Sequence, residues 1–291
     1  MMKVFKEPIN IIYDIFYFTY TSVKKPKSYL FNFIINYQKI RIYLDKYLIE
    51  KYQKKFLDLE LSEEKKVKLK KLKNDGVLKI ENFFDFQNTE EIISLLNNKE
   101  ENKEKLQLIV NQNKDKISKK IIYFLSFLRG ENFDYNQLIL SFEVHADKNL
   151  NDEFHSDIWA HSPKAYIYLN DINFQERPFL YLLKSHKDYE SRIALENISS
   201  KDWYLGKNKF STNSPRLREN DNWEKYFSKF EKFTGIAKKG DLILADTSGF
   251  HAKGPGDKPR YTFWIETSRD NIVKKILSIF LLKKYLTKII R

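Results

Sequence analysis

The spacing of apolar residues changes character at about residue 137. Before that point, apolar positions recur at helical intervals among many lysines, which predicts helices at 57–73 and 88–128. Between them, the turn signal Asp75-Gly76 precedes a short apolar run that predicts a strand at 77–80. After residue 137, runs of strand character dominate; they cover residues 137–144, 164–172, 178–183, 241–248 and 260–268. Short strands separated by polar turns are typical of a β-sandwich or barrel, so we expect a mainly β fold with flanking helices.

The same pattern divides the chain into three segments. Residues 1–56 alternate aromatic and aliphatic clusters with lysines and are predicted to be helical. Residues 57–270 form the main domain, and 271–291 form a basic amphipathic helix. Within the main domain, the polar and aromatic stretch 188–233 interrupts the strands. Such an insertion is either a plain surface excursion or a lid over the mouth of the barrel; the family resemblance given below favours the lid.

Formal charge separates the two ends of the chain from its centre. The net charge is +13, of which +7 lies in residues 1–56 and +6 in residues 271–291, so the central domain is neutral. An enzyme of nucleic acids is expected to carry a basic stripe on its working domain, so we predict no nucleic-acid partner. The basic terminal helices either touch an anionic membrane surface or pack against the domain, and both interpretations stay open. The first interpretation favours a lipid-linked substrate.

Composition narrows the chemistry that the chain can perform. It contains no cysteine, which excludes zinc ribbons, disulfide frameworks and cysteine nucleophiles, so a metal must be held by His, Asp, Glu or Tyr. The apolar stretch 9–23 includes Asp14 and is too short and too polar to span a bilayer. It also lacks the cleavage pattern of a secretory signal. We therefore expect a cytoplasmic protein, with any peripheral membrane contact at the inner surface.

Two His-x-Asp triplets are the first candidate metal ligands: His145 with Asp147, and His155 with Asp157. In an extended segment, residues i and i+2 point to the same side, so such a pair can grip one metal ion. His251, which follows a distant predicted strand, is the natural third ligand. Two histidines and one carboxylate form the facial triad of non-haem Fe(II) enzymes, which leaves positions open for a co-substrate and O₂.

A candidate binding site for the co-substrate lies shortly after His251. Arg260 opens the last predicted strand, and its planar guanidinium can bind the far carboxylate of 2-oxoglutarate through two parallel hydrogen bonds. Thr262 lies on the same strand face and can donate a hydroxyl to that carboxylate. Tyr166 either hydrogen-bonds the co-substrate or packs in the core. Lys164, at the start of the same strand as Tyr166, is expected to be solvated.

The order of these motifs resembles the phytanoyl-CoA dioxygenase family of Fe(II)- and 2-oxoglutarate-dependent oxygenases over about residues 70–270. The matching pieces, in chain order, are Asp75–Phe84, Phe154-His155-Ser156-Asp157, Lys164–Asp171, Ser185-His186-Lys187, Gly240-Asp241, Phe250-His251 and Arg260. The resemblance implies a double-stranded β-helix (jelly-roll) core, with Fe(II) bound by His155, Asp157 and His251 and 2-oxoglutarate held by Arg260. Two turns depart from the family pattern: Arg177-Pro178 replaces its Gly-Pro, and Leu183-Lys184 replaces its Pro-Gly.

The resemblance also bears on the rival triplet and on the reaction. The family places its ligands at the position of His155, which favours that triplet over the one at His145. Relatives that halogenate lack the carboxylate ligand, so Asp157 favours hydroxylation of a small-molecule or lipid-like substrate, with release of succinate and CO₂.

Two other classes compete: a catalytically inactive jelly-roll binding protein, and a membrane-docking protein that acts through its basic termini. The intact triad with Arg260 counts against the first, and the neutral central domain suggests that the termini serve localisation.

Overall fold

The computed structural model describes the part of the chain that carries the motifs. The described residues are 46–47, 49–132, 134–146, 153–157, 163–188, 217–218 and 224–267. The amphipathic helix predicted at 271–291, nearly all of segment 1–56 and most of the insertion 188–233 lie outside these residues, so the proposed lid and membrane contact stay predictions. Within the described part, no helix is long and apolar enough to cross a membrane.

Helices come first in the chain and cover one face of the domain. They are α1 (Glu63–Asp75), α2 (Thr89–Asn97), α3 (Lys103–Arg129) and, much later, the short α4 (Glu224–Phe227). The chain before α1 is also helical, at 49–57. The helix predicted at 57–73 was therefore wrong at its start: Ser62 caps α1 by accepting a hydrogen bond from the backbone N–H of Lys65. The single helix predicted at 88–128 is two helices, because 98–102 form a turn.

Ten strands build the rest of the domain. They are β1 (Val77–Ile80), β2 (Leu138–His145), β3 (His155–Ser156), β4 (Pro163–Tyr168), β5 (Phe179–Leu182), β6 (Leu217–Arg218), β7 (Lys232–Thr234), β8 (Leu242–Asp246), β9 (His251–Lys253) and β10 (Arg260–Thr267). Sheet A has the order β1-β8-β4-β10-β2, and sheet B has the order β6-β3-β9-β5-β7. Neighbouring strands pair antiparallel, and early strands lie beside late ones. The predicted fold class is confirmed: two antiparallel sheets with flanking helices form a jelly roll.

The two faces of sheet A have different surroundings because side chains alternate along each strand. On the outer face, Phe142 and Phe263 pack against Phe86 and belong to a core shared with helices α1 to α3. On the inner face, a second core contains Tyr166, Tyr168, Phe179 and Tyr181. The same inner face carries Lys164, Arg260 and Thr262, each less than a tenth exposed. The polar groups of the site therefore point into the jelly roll.

The two turns that depart from the family pattern keep a conformation that favours glycine. Arg177 has a φ of 54° and Lys184 a φ of 66°, and both angles lie in the left-handed region. The usual family residue at each of these positions is glycine, which enters that region at little cost. The chain thus retains the turn geometry while accepting the backbone strain of a residue with a Cβ.

Candidate metal centre

The three predicted metal ligands meet on sheet B. His155 in β3 and His251 in β9 are directly opposite each other in the antiparallel ladder, with ring centroids 4.4 Å apart. Asp157 directly follows β3, and its backbone N–H donates to the carbonyl oxygen of Thr247 at 3.0 Å. One potential ligand atom from each of the three side chains lies within 4.8 Å of the other two. This spacing allows a single ion to bind all three.

The hydrogen bonds of both histidines place the ring proton on the same nitrogen. Nδ1 of His155 is 2.9 Å from the carbonyl oxygen of Glu153, and Nδ1 of His251 is 3.0 Å from that of Gly249. A carbonyl oxygen can only accept, so Nδ1 must carry the proton in each ring. The lone pair of each neutral imidazole is then on Nε2. Backbone partners of this kind fix the tautomer and the ring orientation of metal-binding histidines.

Aromatic packing fixes the two histidine strands from behind. Phe154 and Phe250 each precede a histidine, so they point to the opposite face of sheet B. Both rings pack on Phe227 of α4, with centroid distances of 5.9 Å and 4.8 Å. All three phenylalanines are buried. One short helix therefore holds both histidine-bearing strands in place.

The segment before His251 is fixed by a second set of contacts. The Ser185 hydroxyl accepts a hydrogen bond from the backbone N–H of Phe250 at 2.8 Å. The Tyr181 hydroxyl donates to the carbonyl oxygen of Asp246 at 2.9 Å. Gly249 lies against both side chains, and a Cβ there would clash with the Tyr181 hydroxyl and come within 2.9 Å of Ser185 Oγ. The close approach requires glycine at this position.

Lys164 contacts one of the predicted metal ligands, and the expectation that it is solvated was wrong. Its side chain is buried, and Nζ lies 2.9 Å from Oδ2 of Asp157. The ammonium also lies 5.2 Å from the centre of the Trp264 ring. Burial acts to raise the pKa of the Asp157 carboxyl, but the neighbouring Lys164 ammonium opposes this effect, and the pKa lies well below its usual range. The Asp157 carboxyl is therefore ionised at neutral pH.

Tyr166 lies within electrostatic reach of both ends of the predicted site. Burial raises the pKa of its hydroxyl above the usual range, the positive charge of Arg260 opposes that rise, and the negative charge of Asp157 adds to it. Its ring packs against Phe179 and Trp264, with centroid distances of 5.2 Å and 5.1 Å. The packing interpretation of Tyr166 is thus seen directly, and its contact with a co-substrate stays a prediction.

Arg260 and Thr262 occupy the inner face of β10, away from the triad. The Arg260 side chain is 2% exposed, and Nη1 donates to the carbonyl oxygen of Arg177 at 2.7 Å. Thr262 is fully buried, with Oγ1 3.5 Å from Nε2 of His145. The buried guanidinium points its charge into the jelly roll, where an anionic carboxylate can meet it.

His145, the rival ligand, lies beside Arg260 instead of the triad. The two residues are opposite each other in the β2–β10 ladder. Burial lowers the pKa of the His145 imidazole well below its usual range, and the positive charges of Arg260, Lys253, Lys99 and Arg177 lower it further. Among the described residues, the one candidate group of metal ligands is His155, Asp157 and His251. Asp147 lies outside the described residues.

Comparisons with known proteins give no family. No family model matches the sequence, and no curated protein matches it, so the phytanoyl-CoA dioxygenase resemblance stays a prediction. Solved structures with a similar arrangement include the epimerase SnoN in complex with Fe3+, alpha-ketoglutarate and nogalamycin RO (10% identity, 69% of this chain and 82% of that one, TM-score 0.46). EctD from S. alaskensis is similar over 74% of this chain and 79% of its own, at 11% identity and a TM-score of 0.46.

A third similar structure is HygX from Streptomyces hygroscopicus with nickel and 2-oxoglutarate bound. It is 14% identical over 72% of this chain and 87% of its own, with a TM-score of 0.41. Identities of this order do not carry a function from one protein to another. The function of the chain therefore has to follow from its own residues.

Proposed function

We propose that the chain is a non-haem Fe(II)- and 2-oxoglutarate-dependent dioxygenase. The observation that carries the proposal is the geometry of His155, Asp157 and His251, whose ligand atoms lie within 4.8 Å of one another. Two imidazoles that carry their proton on Nδ1 and one anionic carboxylate are the donor set of the facial triad. The residues present therefore fit an Fe(II) ion.

The inner face of sheet A also fits the co-substrate. A dicarboxylate that reaches from the metal into the jelly roll needs a buried cation at its far end. Arg260 supplies that cation, and Thr262 lies two residues later on the same face. The charges of Asp157 and Arg260 both act on the pKa of the Tyr166 hydroxyl, so Tyr166 lies within electrostatic reach of both residues. In this proposal Arg260 and Thr262 hold the far carboxylate, and Tyr166 orients the molecule.

The chain's own residues supply binding, orientation and exclusion of water. When bound, Fe(II) and 2-oxoglutarate supply the oxidising chemistry: the 2-oxo acid is decarboxylated to succinate and CO₂ while O₂ oxidises the substrate. His155, Asp157 and His251 occupy one face of the ion and leave the other positions to the reactants. In this proposal the buried rings of Tyr166 and Phe179, with the partly buried Trp264, limit the access of water to the reacting centre.

The finer reaction is hydroxylation of an unidentified small-molecule or lipid-like substrate. The carboxylate of Asp157 supports this outcome because it fills the position that a halide would need. The insertion 188–233 is proposed as a lid over the mouth of the barrel. Membrane docking through the basic termini is compatible with a lipid-like substrate.

The test is an anaerobic titration of the metal-free full chain with Fe(II) and 2-oxoglutarate. Binding of the 2-oxo acid to Fe(II) produces a weak visible charge-transfer band. We expect the band in the wild type, its loss in His155→Ala, and its retention in Phe174→Ala, a control at a residue that is 70% exposed. If the folded wild type binds no Fe(II), or if His155→Ala retains the band, the assignment is wrong.

A further inference from the structure

Lys164 is a buried cation within contact distance of a proposed metal ligand. It lies on β4, in the middle of sheet A, paired in register with Ala245 on one side and Glu266 on the other. Its Nζ is 2.9 Å from Oδ2 of Asp157, and the side chains of this ion pair are only 8% and 13% exposed. A cation in this position has to be explained.

Stability alone does not explain the ion pair. Taking an ammonium and a carboxylate out of water costs several kcal/mol per ion before their attraction is counted, and an apolar pair of similar volume is often as stable. Two neighbours of Lys164 on the inner face are aromatic: Trp264 lies beneath its ammonium, and Tyr166 follows on the same strand. Its partner across the β4–β10 ladder, Glu266, is acidic, but the carboxylate in ion-pair contact with Lys164 is that of Asp157. An unbranched apolar residue would pack against the two rings at lower cost. The charge therefore acts on Asp157.

We propose that Lys164 is a positioning residue that makes Asp157 bind the metal through one oxygen only. The inference rests on the proposed function, because it concerns how many positions of the ion remain open. The ammonium occupies Oδ2 and its positive charge repels a metal ion from that oxygen, which sets the rotation of the carboxylate and leaves the other oxygen to bind the metal. The backbone of Asp157 is fixed separately, through its N–H bond to Thr247.

The number of ligating oxygens decides whether the reactants can bind together. An octahedral Fe(II) ion has about six coordination positions. Two imidazole nitrogens and one carboxylate oxygen occupy about three of them, so about three remain open. A 2-oxo acid that binds through two oxygens needs two of them, and O₂ needs the third. If Asp157 used both oxygens, one reactant would be excluded. Lys164 thus keeps the third position open.

Three variants separate the charge of Lys164 from its bulk. Lys164→Met keeps an unbranched chain and removes the ammonium, whereas Lys164→Arg keeps a cation that can reach the carboxylate. Lys238→Met is the matched control, because Lys238 also forms a 2.9 Å ion pair, with Asp171, but its side chain is 78% exposed. Thermal melts of each full-length variant show whether it folds.

The experiment asks whether Fe(II) can hold 2-oxoglutarate and a diatomic gas at once. The anaerobic Fe(II) protein is titrated with 2-oxoglutarate until the charge-transfer band is complete, and nitric oxide is then added in place of O₂. In the wild type, Lys164→Arg and Lys238→Met, we expect the electron paramagnetic resonance signal of the iron–nitrosyl with 2-oxoglutarate retained. In Lys164→Met, we expect nitric oxide either to fail to bind or to release 2-oxoglutarate.

The outcomes separate this inference from the proposed function. If Fe(II) in Lys164→Met binds 2-oxoglutarate and nitric oxide together, as in the wild type, the inference is overturned and the proposed function stands. The inference is also overturned if Lys164→Met binds Fe(II) more tightly but still binds both ligands together. If the wild type forms no charge-transfer band, both fall. If Lys164→Met does not fold, the neutral variant Lys164→Gln replaces it, and simultaneous binding of both ligands in that variant overturns the inference.

Discussion

His155 and His251 are direct partners in the β3–β9 ladder, and each donates its Nδ1 proton to a backbone carbonyl two residues earlier in the chain. Opposed residues of an antiparallel pair point to the same face of the sheet. The distance between the two imidazoles is therefore set by strand pairing, and their orientation is set by the backbone beside each ring. Neither property depends on the conformation of a loop.

Replacing Arg260 should weaken 2-oxoglutarate binding and leave the metal site intact. Arg260→Met removes the buried guanidinium, and loss of hydrogen bonds to a charged group costs about 1.5–3 kcal/mol, roughly tenfold to a hundredfold in Kd. Arg260→Lys should not rescue binding, because an ammonium cannot form the two parallel bonds. Calorimetric titration of the Fe(II) protein with 2-oxoglutarate measures the change. Unaltered affinity in Arg260→Met would place the far carboxylate elsewhere.

Truncating Phe227 should loosen both histidine strands at once. Phe227→Ala removes the ring that packs on Phe154 and Phe250, and deleting a buried phenylalanine costs about 3–5 kcal/mol of unfolding free energy. We expect a lower melting temperature and a higher Kd for Fe(II). Phe174→Ala is the control, since Phe174 is 70% exposed and should change stability by less than about 0.5 kcal/mol. Equal effects of the two substitutions would contradict the packing argument.

The two left-handed turn residues should respond to glycine in opposite directions. Lys184→Gly relieves a strained φ at an exposed position, so we expect a gain of about 0.5–1 kcal/mol. Arg177→Gly relieves the same kind of strain but removes a buried guanidinium that donates to the carbonyl oxygens of Ala146 and Gly256. We expect a net loss of about 1–3 kcal/mol there. Urea unfolding of both variants tests the contrast, and a loss in Lys184→Gly would be the contrary result.

His145 should make the stability of the domain fall in mild acid. The pKa of the His145 imidazole is lowered in the folded state. Below about pH 6.5 the imidazole therefore takes up a proton in the unfolded chain, while in the folded chain it stays neutral to lower pH. Above that pH, the neutral His145 has its full stabilising effect on the folded state. As the pH falls below it, the free energy of unfolding decreases by up to about 1.4 kcal/mol per pH unit. Urea unfolding at pH 7.5 and pH 5.5 should show a smaller loss in His145→Gln than in the wild type. Identical losses would exclude His145 as the cause.

The longer strands could be predicted from the sequence because their patterns are regular. Strand β10 begins at its predicted residue and ends one residue before its predicted end, since alternating apolar positions mark a face of a sheet. The short strand β1 matches its predicted bounds because the turn Asp75-Gly76 marks where it begins. Strands β3 and β9 have only two and three residues, too few to show any period. They could be located only through the histidines that they carry.

The error on Lys164 has a physical cause. In the run Lys164-Ala165-Tyr166-Ile167, a leading lysine is typical of a strand that enters from solvent. However, β4 is the central strand of sheet A, its outer face belongs to the helical core, and every residue from Pro163 to Tyr168 is buried. Nothing local in the sequence distinguishes a lysine that faces water from one that faces a buried carboxylate. Only the topology brings Lys164 to Asp157.

The Ser185-His186-Lys187 turn stabilises the fold of the domain and supplies none of the proposed metal ligands. Ser185 fixes Phe250, Nε2 of His186 lies 3.1 Å from the carbonyl oxygen of Lys73 at the end of α1, and the Lys187 ammonium donates to the Asn74 side chain. None of these groups belongs to the proposed metal ligands. A descendant that lost His155 and Asp157 could keep the turn and fold in the same way. In a sequence comparison, this tripeptide would therefore identify active and inactive members alike, and only the ligands themselves would tell them apart.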